Sequence, residues 1–232
     1  MNKTLIMIIS DNNLESINKA ILEVENMENA DMLIIDEASD YDIIEELNEF
    51  QSVKCIVHDL PLGYGSSLAE AINYAQNFEY NYLITAQYRS ENFRNNIDII
   101  QKNLEYGYDI VTCSRLLENY NHEKIDEPTI NILENIADSL NITTGLDITD
   151  PLSPDKGLNI KNMANINITD EGQGALLQLL IQGAHFAYSI FEIPSEDDLV
   201  LSNNDFDNEA PLEIFLSIIE TEKFLYNKRS IN

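Results

Sequence analysis

Short apolar runs alternate along the chain with longer segments in which hydrophobic positions recur every three or four residues. Runs rich in Ile, Val and Leu are typical of buried strands, whereas the longer spacing marks the apolar face of a helix. Strands are predicted at residues 5–9, 32–36, 53–58, 81–86 and 109–115. The helical faces between them are Leu14, Ile17, Ile21 and Val24, then Ile43, Ile44 and Leu47, then Leu68, Ile72 and Ala75, then Ile97, Ile100 and Leu104. Because strands separated by helices pair in parallel, the pattern predicts an α/β fold with a mostly parallel sheet.

The pattern loosens after residue 115. A helix is predicted over residues 128–140, because Pro128 suits a first helical position and the apolar residues that follow repeat on one face. Two prolines and two glycines in residues 143–162 predict a long loop with brief extended pieces. A helix over residues 171–185, a strand over 188–193 and a terminal helix over 211–226 complete what is expected to be one domain of 232 residues.

The carboxyl ends of the predicted strands indicate where a ligand would bind. In parallel α/β sheets, ligands occupy the crevice beyond these ends. The prediction places five segments on one rim of the sheet, namely residues 10–13, 36–40, 59–67, 86–91 and 114–121.

Acidic residues outnumber basic ones by 41 to 13, which gives a formal net charge of −28. Such a field repels nucleic acid, anionic lipid surfaces and free phosphorylated ligands. A nucleic-acid partner is therefore not expected, and a basic or neutral protein partner fits the charge better. Since the acids are spread along the chain, the charge by itself indicates a soluble or salt-adapted surface rather than a function.

Cysteine use and hydropathy bear on the compartment. Cys55 and Cys113 fall inside apolar strand patterns, where a free thiol behaves as a small buried hydrophobe. The apolar run at residues 5–9 is too short for a signal-peptide core, and polar residues interrupt the most apolar later segment, residues 175–191. The sequence therefore predicts a cytoplasmic chain without a transmembrane segment.

Five short motifs follow one another along the chain. They are Asp36-Glu37-Ala38-Ser39-Asp40, Gly63-Tyr64-Gly65-Ser66-Ser67-Leu68, Asp109-Ile110-Val111-Thr112-Cys113-Ser114-Arg115, Ile148-Thr149-Asp150-Pro151 and Glu192-Ile193-Pro194. In this order they resemble the family-two glycosyltransferases. The last two are similar to landmarks of the polyprenyl-phosphate mannosyltransferase branch of that family.

The resemblance covers most of residues 4–194 and implies a fold and an activity. The implied fold is a GT-A-like three-layer α/β/α sandwich, with a nucleotide-binding half at about residues 1–115 and an acceptor-side half at about residues 116–232. The implied activity is the inverting transfer of a sugar from a nucleotide-diphosphate donor to an acceptor such as polyprenyl phosphate. Mg²⁺ or Mn²⁺ is the usual cofactor of the family.

Roles for particular residues follow from the resemblance. It assigns the nucleotide sugar to Asp36, Glu37, Gly63 and Gly65, and it makes Asp150 a candidate general base near the acceptor; the predicted rim adds Ser10, Arg89 and Arg115 to the nucleotide-sugar site. The two arginines, together with Arg94, would neutralise the diphosphate.

Each of these roles has a structural alternative. The glycine pair is also what a tight turn capped by Ser66 or Ser67 requires. Asp150 could instead cap the turn at Pro151, and surface arginines commonly pair with neighbouring acids such as Asp98.

The chain departs from the family where the metal would bind. The family's Asp-x-Asp after the fourth strand reads Ala86-Gln87-Tyr88 here, so its metal ligands are absent and no metal or other cofactor is expected. The first loop and the basic stretch after the last strand are also altered. Two hypotheses therefore stand: a metal-independent glycosyltransferase that binds a nucleotide sugar, and a catalytically inactive relative that serves as a scaffold or regulatory binding protein.

Overall fold

The computed structural model describes residues 2–10, 12–47, 50, 52–88, 90–117, 127–195 and 211–229. Within these ranges the chain forms seven strands and seven α-helices. The strands are β1 (Thr4–Ser10), β2 (Ala30–Glu37), β3 (Val53–His58), β4 (Tyr82–Thr85), β5 (Ile110–Ser114), β6 (Lys156–Asn159) and β7 (Ile190–Pro194). The helices are α1 (Leu14–Glu25), α2 (Ile43–Glu46), α3 (Tyr64–Asn77), α4 (Phe93–Tyr106), α5 (Glu127–Thr144), α6 (Gly174–His185) and α7 (Pro211–Arg229).

The strands form one sheet in the order β3-β2-β1-β4-β6-β5-β7. Each strand runs parallel to its neighbours except β6, which is antiparallel to both β4 and β5. The predicted α/β fold with a mostly parallel central sheet is therefore confirmed. The six strands predicted from apolar runs begin and end within two residues of those observed.

The strand β6 lies inside residues 143–162, for which the sequence predicts a long loop with brief extended pieces. Its four residues, Lys-Gly-Leu-Asn, contain only one large apolar side chain. The sequence therefore has no alternating apolar pattern from which a strand in the centre of the sheet could be predicted. Pairing with β4 and β5 fixes this strand, and Gly157 allows α4 to approach it. A Cβ atom at Gly157 would lie 2.3 Å from Cγ2 of Ile100.

Side chains alternate across the sheet and build two apolar layers, as the two-residue period of a strand requires. Ile6 and Ile8 of β1 pack with α1, α2 and α4 on one face. Leu5 and Met7 of the same strand pack with α3, α5, α6 and α7 on the other. The result is the expected three-layer α/β/α arrangement.

The position of β1 and β4 in the strand order defines a switch point. From β1 the chain continues through β2 to β3 on one side, whereas β4 lies on the other side of β1. At such a point the connections leave in opposite directions and open a crevice beyond the carboxyl ends of the strands. A ligand-binding crevice is therefore expected beside the residues that follow β1 and β4.

Candidate functional site

A cleft of about 300 Å³ lies at the carboxyl ends of β1 and β4. We call it the switch-point cleft. Its lining consists of Met7, Ile9, Tyr64, Thr85, Ala86, Gln87, Tyr88 and Pro154. None of these side chains carries a charge, although acids are abundant in the chain. The cleft thus offers a mainly apolar surface at the place where an α/β sheet binds ligands.

Polar atoms in the cleft wall are bonded to one another. The Thr85 hydroxyl donates to the Pro154 carbonyl oxygen and accepts from the Lys156 amide at 3.2 Å. The Tyr64 hydroxyl donates to the same Pro154 oxygen at 3.3 Å. Burial raises the pKa of Tyr64 far above its ordinary value, so this hydroxyl stays neutral. The start of α3 and the segment before β6 are thereby joined across the cleft.

Asp155 holds the segment that follows β4. One carboxylate oxygen accepts from the Gln87 amide at 2.8 Å, and the other accepts from the side-chain nitrogen of Asn96 at 3.0 Å. Asp155 is 5% exposed, so these hydrogen bonds are shielded from solvent. The backbone at the cleft mouth is therefore fixed by a buried carboxylate.

The structure brings the predicted residues Ser10 and Asp36 together at the ends of β1 and β2, where they are register partners. Asp36 accepts from the Ser39 amide at 3.1 Å and from the Ser39 hydroxyl, which lies 3.0 Å from the Ser10 hydroxyl. Ala38 adopts a left-handed conformation with φ 58° inside this turn. Asp36 therefore closes its own turn, and its role in nucleotide binding stays a prediction.

Glu37 occupies the beginning of α3. Its carboxylate accepts from the amides of Leu62 at 2.5 Å and Gly63 at 3.1 Å and from the Ser67 hydroxyl at 2.6 Å. Burial raises the pKa of Glu37, but the hydrogen bonds from Ser67, Gly63 and Leu62 outweigh it and lower the pKa below its ordinary value. An anion is favourable here because a helix N-terminus presents unpaired N–H groups and a partial positive charge.

His58, the last residue of β3, lies between two carboxylates. Its Nε2 forms a hydrogen bond with the Glu70 carboxylate at 2.9 Å. Its Nδ1 lies 3.3 Å from the Glu37 carboxylate, close enough for an ion pair, but the geometry is not that of a hydrogen bond. A neutral imidazole has a single N–H, so acids at both nitrogens favour the charged ring. Burial lowers the pKa of His58, but the hydrogen bond and charge of Glu70 and the charge of Glu37 raise it above its ordinary value.

The predicted glycines Gly63 and Gly65 make room for the chain before α6. The Gly65 amide donates to the Glu171 carbonyl at 2.8 Å, and a Cβ atom at Gly65 would lie 1.9 Å from the Asp170 carbonyl oxygen. Gly63 has φ 91°, in the left-handed region that glycine adopts without strain. Backbone conformation and close packing thus explain why glycine occupies both positions, and the contact of these glycines with a nucleotide sugar stays a prediction.

The predicted residues Arg115 and Asp150 are bonded to each other. The Arg115 guanidinium donates to the two carboxylate oxygens of Asp150 at 2.6 and 2.8 Å, and the Arg115 amide adds a bond at 3.1 Å. Burial raises the pKa of Asp150, but the charge and hydrogen bonds of Arg115 lower it below its ordinary value. The roles of Arg115 at a diphosphate and of Asp150 as a base stay predictions, since each group already has a charged partner.

The remaining predicted cations differ in their surroundings. Arg94 donates to both carboxylate oxygens of Asp98 at 2.9 Å and also to the Glu23 carbonyl oxygen. Arg94 is thus paired with a neighbouring acid, the structural alternative to diphosphate binding given above. Arg89 lies outside the described residues, so its role as a diphosphate ligand stays a prediction.

Sequence reasoning missed a buried lysine beneath the rim. Lys156 is 1% exposed and donates from Nζ to the Thr112 hydroxyl at 2.6 Å. Burial lowers the pKa of Lys156 to about 8, although Asp150 and Glu192 oppose this effect. Glu192 accepts from the Thr149 amide at 2.9 Å and the Asp150 amide at 3.0 Å, and burial raises its pKa. No sequence signal indicated the burial of Lys156, because it lies in the segment predicted as a long loop.

Sequence reasoning also missed Tyr64 and Thr85 as lining residues. Tyr64 lay within a predicted rim segment, but Thr85 was predicted inside a strand, and contact with the Pro154 carbonyl depends on tertiary pairing.

The described lining of the switch-point cleft offers no carboxylate side chain for the Mg²⁺ or Mn²⁺ that the sequence resemblance implies. Ala86 and Tyr88 contribute a methyl group and a phenol ring where Mg²⁺ or Mn²⁺ would need carboxylate oxygens. In the described part of the chain, no three His, Cys, Asp or Glu side chains are grouped so as to hold a metal ion. None of the helices in the described ranges combines the length and the hydropathy needed to span a membrane.

Comparison with solved structures identifies the fold. Glucosyl-3-phosphoglycerate synthase from Mycobacterium tuberculosis, in complex with Mn²⁺, UDP and phosphoglyceric acid, aligns with a TM-score of 0.70 at 12% identity, over 96% of this chain and 78% of the enzyme. A 4-diphosphocytidyl-2C-methyl-D-erythritol synthase aligns with a TM-score of 0.51 at 10% identity, over 93% of this chain and 100% of that one. No protein-family profile and no curated protein sequence matches the chain. The likeness is one of fold, and that fold is the GT-A-like fold of nucleotide-diphospho-sugar transferases.

Proposed function

We propose that this protein is a glycosyltransferase-like protein that binds a nucleotide sugar in the switch-point cleft and needs no divalent cation. The observation that supports the proposal is the position of the cleft, at the carboxyl ends of β1 and β4 in a GT-A-like sheet. The neighbour solved with UDP supports the class of donor.

Transfer without a metal needs another source of positive charge for the leaving diphosphate. Positive side chains can stabilise charge that develops in a transition state. The sequence prediction gives this role to Arg89, which follows Tyr88 of the cleft in the chain. An acceptor such as polyprenyl phosphate rests on the sequence resemblance to the mannosyltransferase branch.

A catalytically inactive scaffold or regulatory binding protein is the second candidate. The ion pair between Arg115 and Asp150 favours it, because a carboxylate whose two oxygens accept from a guanidinium is a weak base. In that case the cleft would still bind a ligand, but no sugar would be transferred.

Thermal unfolding with UDP, GDP and their sugars, each with EDTA or with Mn²⁺, tests the proposal. Binding to the native state raises the melting temperature by mass action. We expect stabilisation by one nucleotide sugar in EDTA, with no further gain from Mn²⁺. A protein that unfolds cooperatively and responds to none of these ligands would refute donor binding, and dependence on Mn²⁺ would refute the metal-free site.

Transfer is tested separately by release of the nucleoside diphosphate with polyprenyl phosphate as acceptor. Arg89→Ala should reduce the release rate by roughly 100-fold, the usual cost of removing a group that stabilises transition-state charge. Binding of the donor without any release by the wild-type protein would favour the inactive scaffold.

A further inference from the structure

Several polar atoms in the wall of the switch-point cleft are already hydrogen-bonded within the protein. The Pro154 carbonyl oxygen accepts from both Thr85 and Tyr64, and the Gln87 amide is held by Asp155. The other lining side chains are mainly apolar. Such a surface favours a flat, uncharged group, because a buried charge without a partner is strongly disfavoured.

A position just before α3 that could hold an anion is filled by the protein itself. The first turn of a helix normally attracts phosphate, since its N–H groups point outward and its dipole favours negative charge. At the start of α3 the Glu37 carboxylate accepts the Leu62 and Gly63 amides, together with the Ser67 hydroxyl. The residue that follows Gly63 is Tyr64, which lines the cleft. A ligand phosphate approaching this helix would therefore meet a carboxylate.

Described cations on this side of the sheet are bonded to partners in the protein. Arg115 binds Asp150, and Lys156 binds the Thr112 hydroxyl at 2.6 Å. The net charge of −28 adds a repulsive field around the whole molecule. A diphosphate would thus gain little electrostatic attraction from the described residues.

We propose that the switch-point cleft recognises the uncharged nucleoside end of its ligand, and that the diphosphate adds no affinity because Glu37 fills the anion site at the start of α3. This inference rests on the proposed nucleotide-sugar binding and specifies which part of the donor supplies it. The diphosphate then lies toward solvent, where its charge matters for transfer rather than for binding.

Calorimetric titration of the wild-type protein in EDTA tests the inference. The probes are uridine, cytidine, guanosine and adenosine, each compared with its 5′-diphosphate at about 50 mM and about 500 mM salt, where the screening lengths differ several-fold. We expect one nucleoside to bind within about threefold of its diphosphate. Its affinity should not change with salt, whereas the affinity for the diphosphate should rise as salt screens the repulsion.

Two variants with the same change in charge test the role of Glu37. Glu37→Gln removes the carboxylate that binds the Leu62 and Gly63 amides, whereas the matched control Glu70→Gln removes the other carboxylate beside His58 without touching these amides. We expect Glu37→Gln to raise the affinity for the diphosphate about threefold and to leave the nucleoside unchanged, with no such effect of Glu70→Gln. The salt series on the wild-type protein decides the question if Glu37→Gln does not fold.

The outcomes separate this inference from the proposed function. A diphosphate that binds at least tenfold more tightly than its nucleoside, with affinity that falls as salt rises, would overturn the inference and leave nucleotide binding standing. An equal response of the two variants would remove Glu37 from the explanation. Failure of every nucleoside and diphosphate to bind would overturn the proposed function itself.

Discussion

Arg115 and Asp150 form an ion pair in which both carboxylate oxygens accept from one guanidinium, at 2.6 and 2.8 Å. The side chains are 7% and 0% exposed, so the pair is screened from water. It links the end of β5 to the turn before β6. Substitution of either residue therefore tests the stability of the fold as well as the chemistry proposed for Asp150.

Breaking this pair should destabilise the protein strongly. Removal of one partner leaves a buried charge uncompensated, so Arg115→Met should lower the free energy of unfolding by about 3–5 kcal/mol. Arg94→Met is the matched control, because the Arg94–Asp98 pair is partly exposed and should cost less than about 1 kcal/mol. Urea denaturation of the two variants measures both values, and equal losses would contradict a special role for the buried pair.

His58 should make stability depend on pH. The described charged groups that face its ring are Glu37 and Glu70, and they raise its pKa above the unfolded value. The stabilisation is therefore complete below the unfolded pKa of about 6.5 and is lost as pH rises through the folded pKa. We expect the stability difference between the wild type and His58→Gln to be largest near pH 6 and to shrink toward alkaline pH.

Thermal unfolding of both proteins from pH 6 to pH 9 measures the difference. A difference that stays constant across this range would mean that the imidazolium does not contribute. Glu37 acts in the opposite direction, since its lowered pKa gives stability that is lost only as pH falls through the folded pKa.

The strands were predictable from sequence because apolar runs on a parallel sheet are buried on both faces. Leu5, Ile6, Met7 and Ile8 are all at most 1% exposed, which explains why this run shows no alternation. The strand β6 gave no such signal, since Lys156 and Gly157 are polar or small and the strand is held by its neighbours. Its antiparallel insertion depends on contacts between residues about 70 positions apart, such as Thr85 with Lys156.

The rim of the sheet was predictable from the sequence, but the bonding of its residues was not, and the described predicted site residues do not line the switch-point cleft. The predicted strand ends and the motifs placed Ser10, Asp36 and Glu37 on one rim, and these residues lie at the carboxyl ends of β1 and β2. Which hydrogen bonds they make could not be read from a motif, because the Asp36 turn, the start of α3 and the approach of residues 170–171 are set by tertiary packing. The two glycines show the difficulty, since one sequence pattern serves both a phosphate loop and a close contact between chain segments.

Lys156 should give a second pH dependence with the opposite sign to His58. Burial lowers its pKa from the ordinary value of 10.5 to about 8 on folding, so between these values the unfolded chain binds more protons than the native protein. Stability due to this residue therefore rises with pH from about 8 to about 10.5, by an amount on the order of 3 kcal/mol.

Comparison with Lys156→Met isolates this effect, since other titrating groups are common to both proteins. Urea denaturation at pH 7, 8, 9 and 10 should show the wild type gaining stability relative to the variant across the alkaline range. If the wild type instead lost stability relative to Lys156→Met over this range, the folded protein would favour the charged ammonium form of Lys156, which would contradict the lowered pKa.

Gly65→Ala tests the close contact between the start of α3 and the segment before α6. The new methyl group would lie 1.9 Å from the Asp170 carbonyl oxygen, a backbone atom that cannot rotate away, so one of the two segments must move. We expect a loss of about 1–3 kcal/mol in the free energy of unfolding, as for other overpacked sites. Gly172→Ala is the matched control in the same contact region: the nearest atom to its methyl group would be 3.5 Å away, so its unfolding free energy should change by less than about 0.5 kcal/mol. Because Tyr64 lies next to Gly65 and lines the switch-point cleft, Gly65→Ala should also weaken ligand binding, whereas equal stability and binding in the two variants would show that the contact has no part in shaping the cleft.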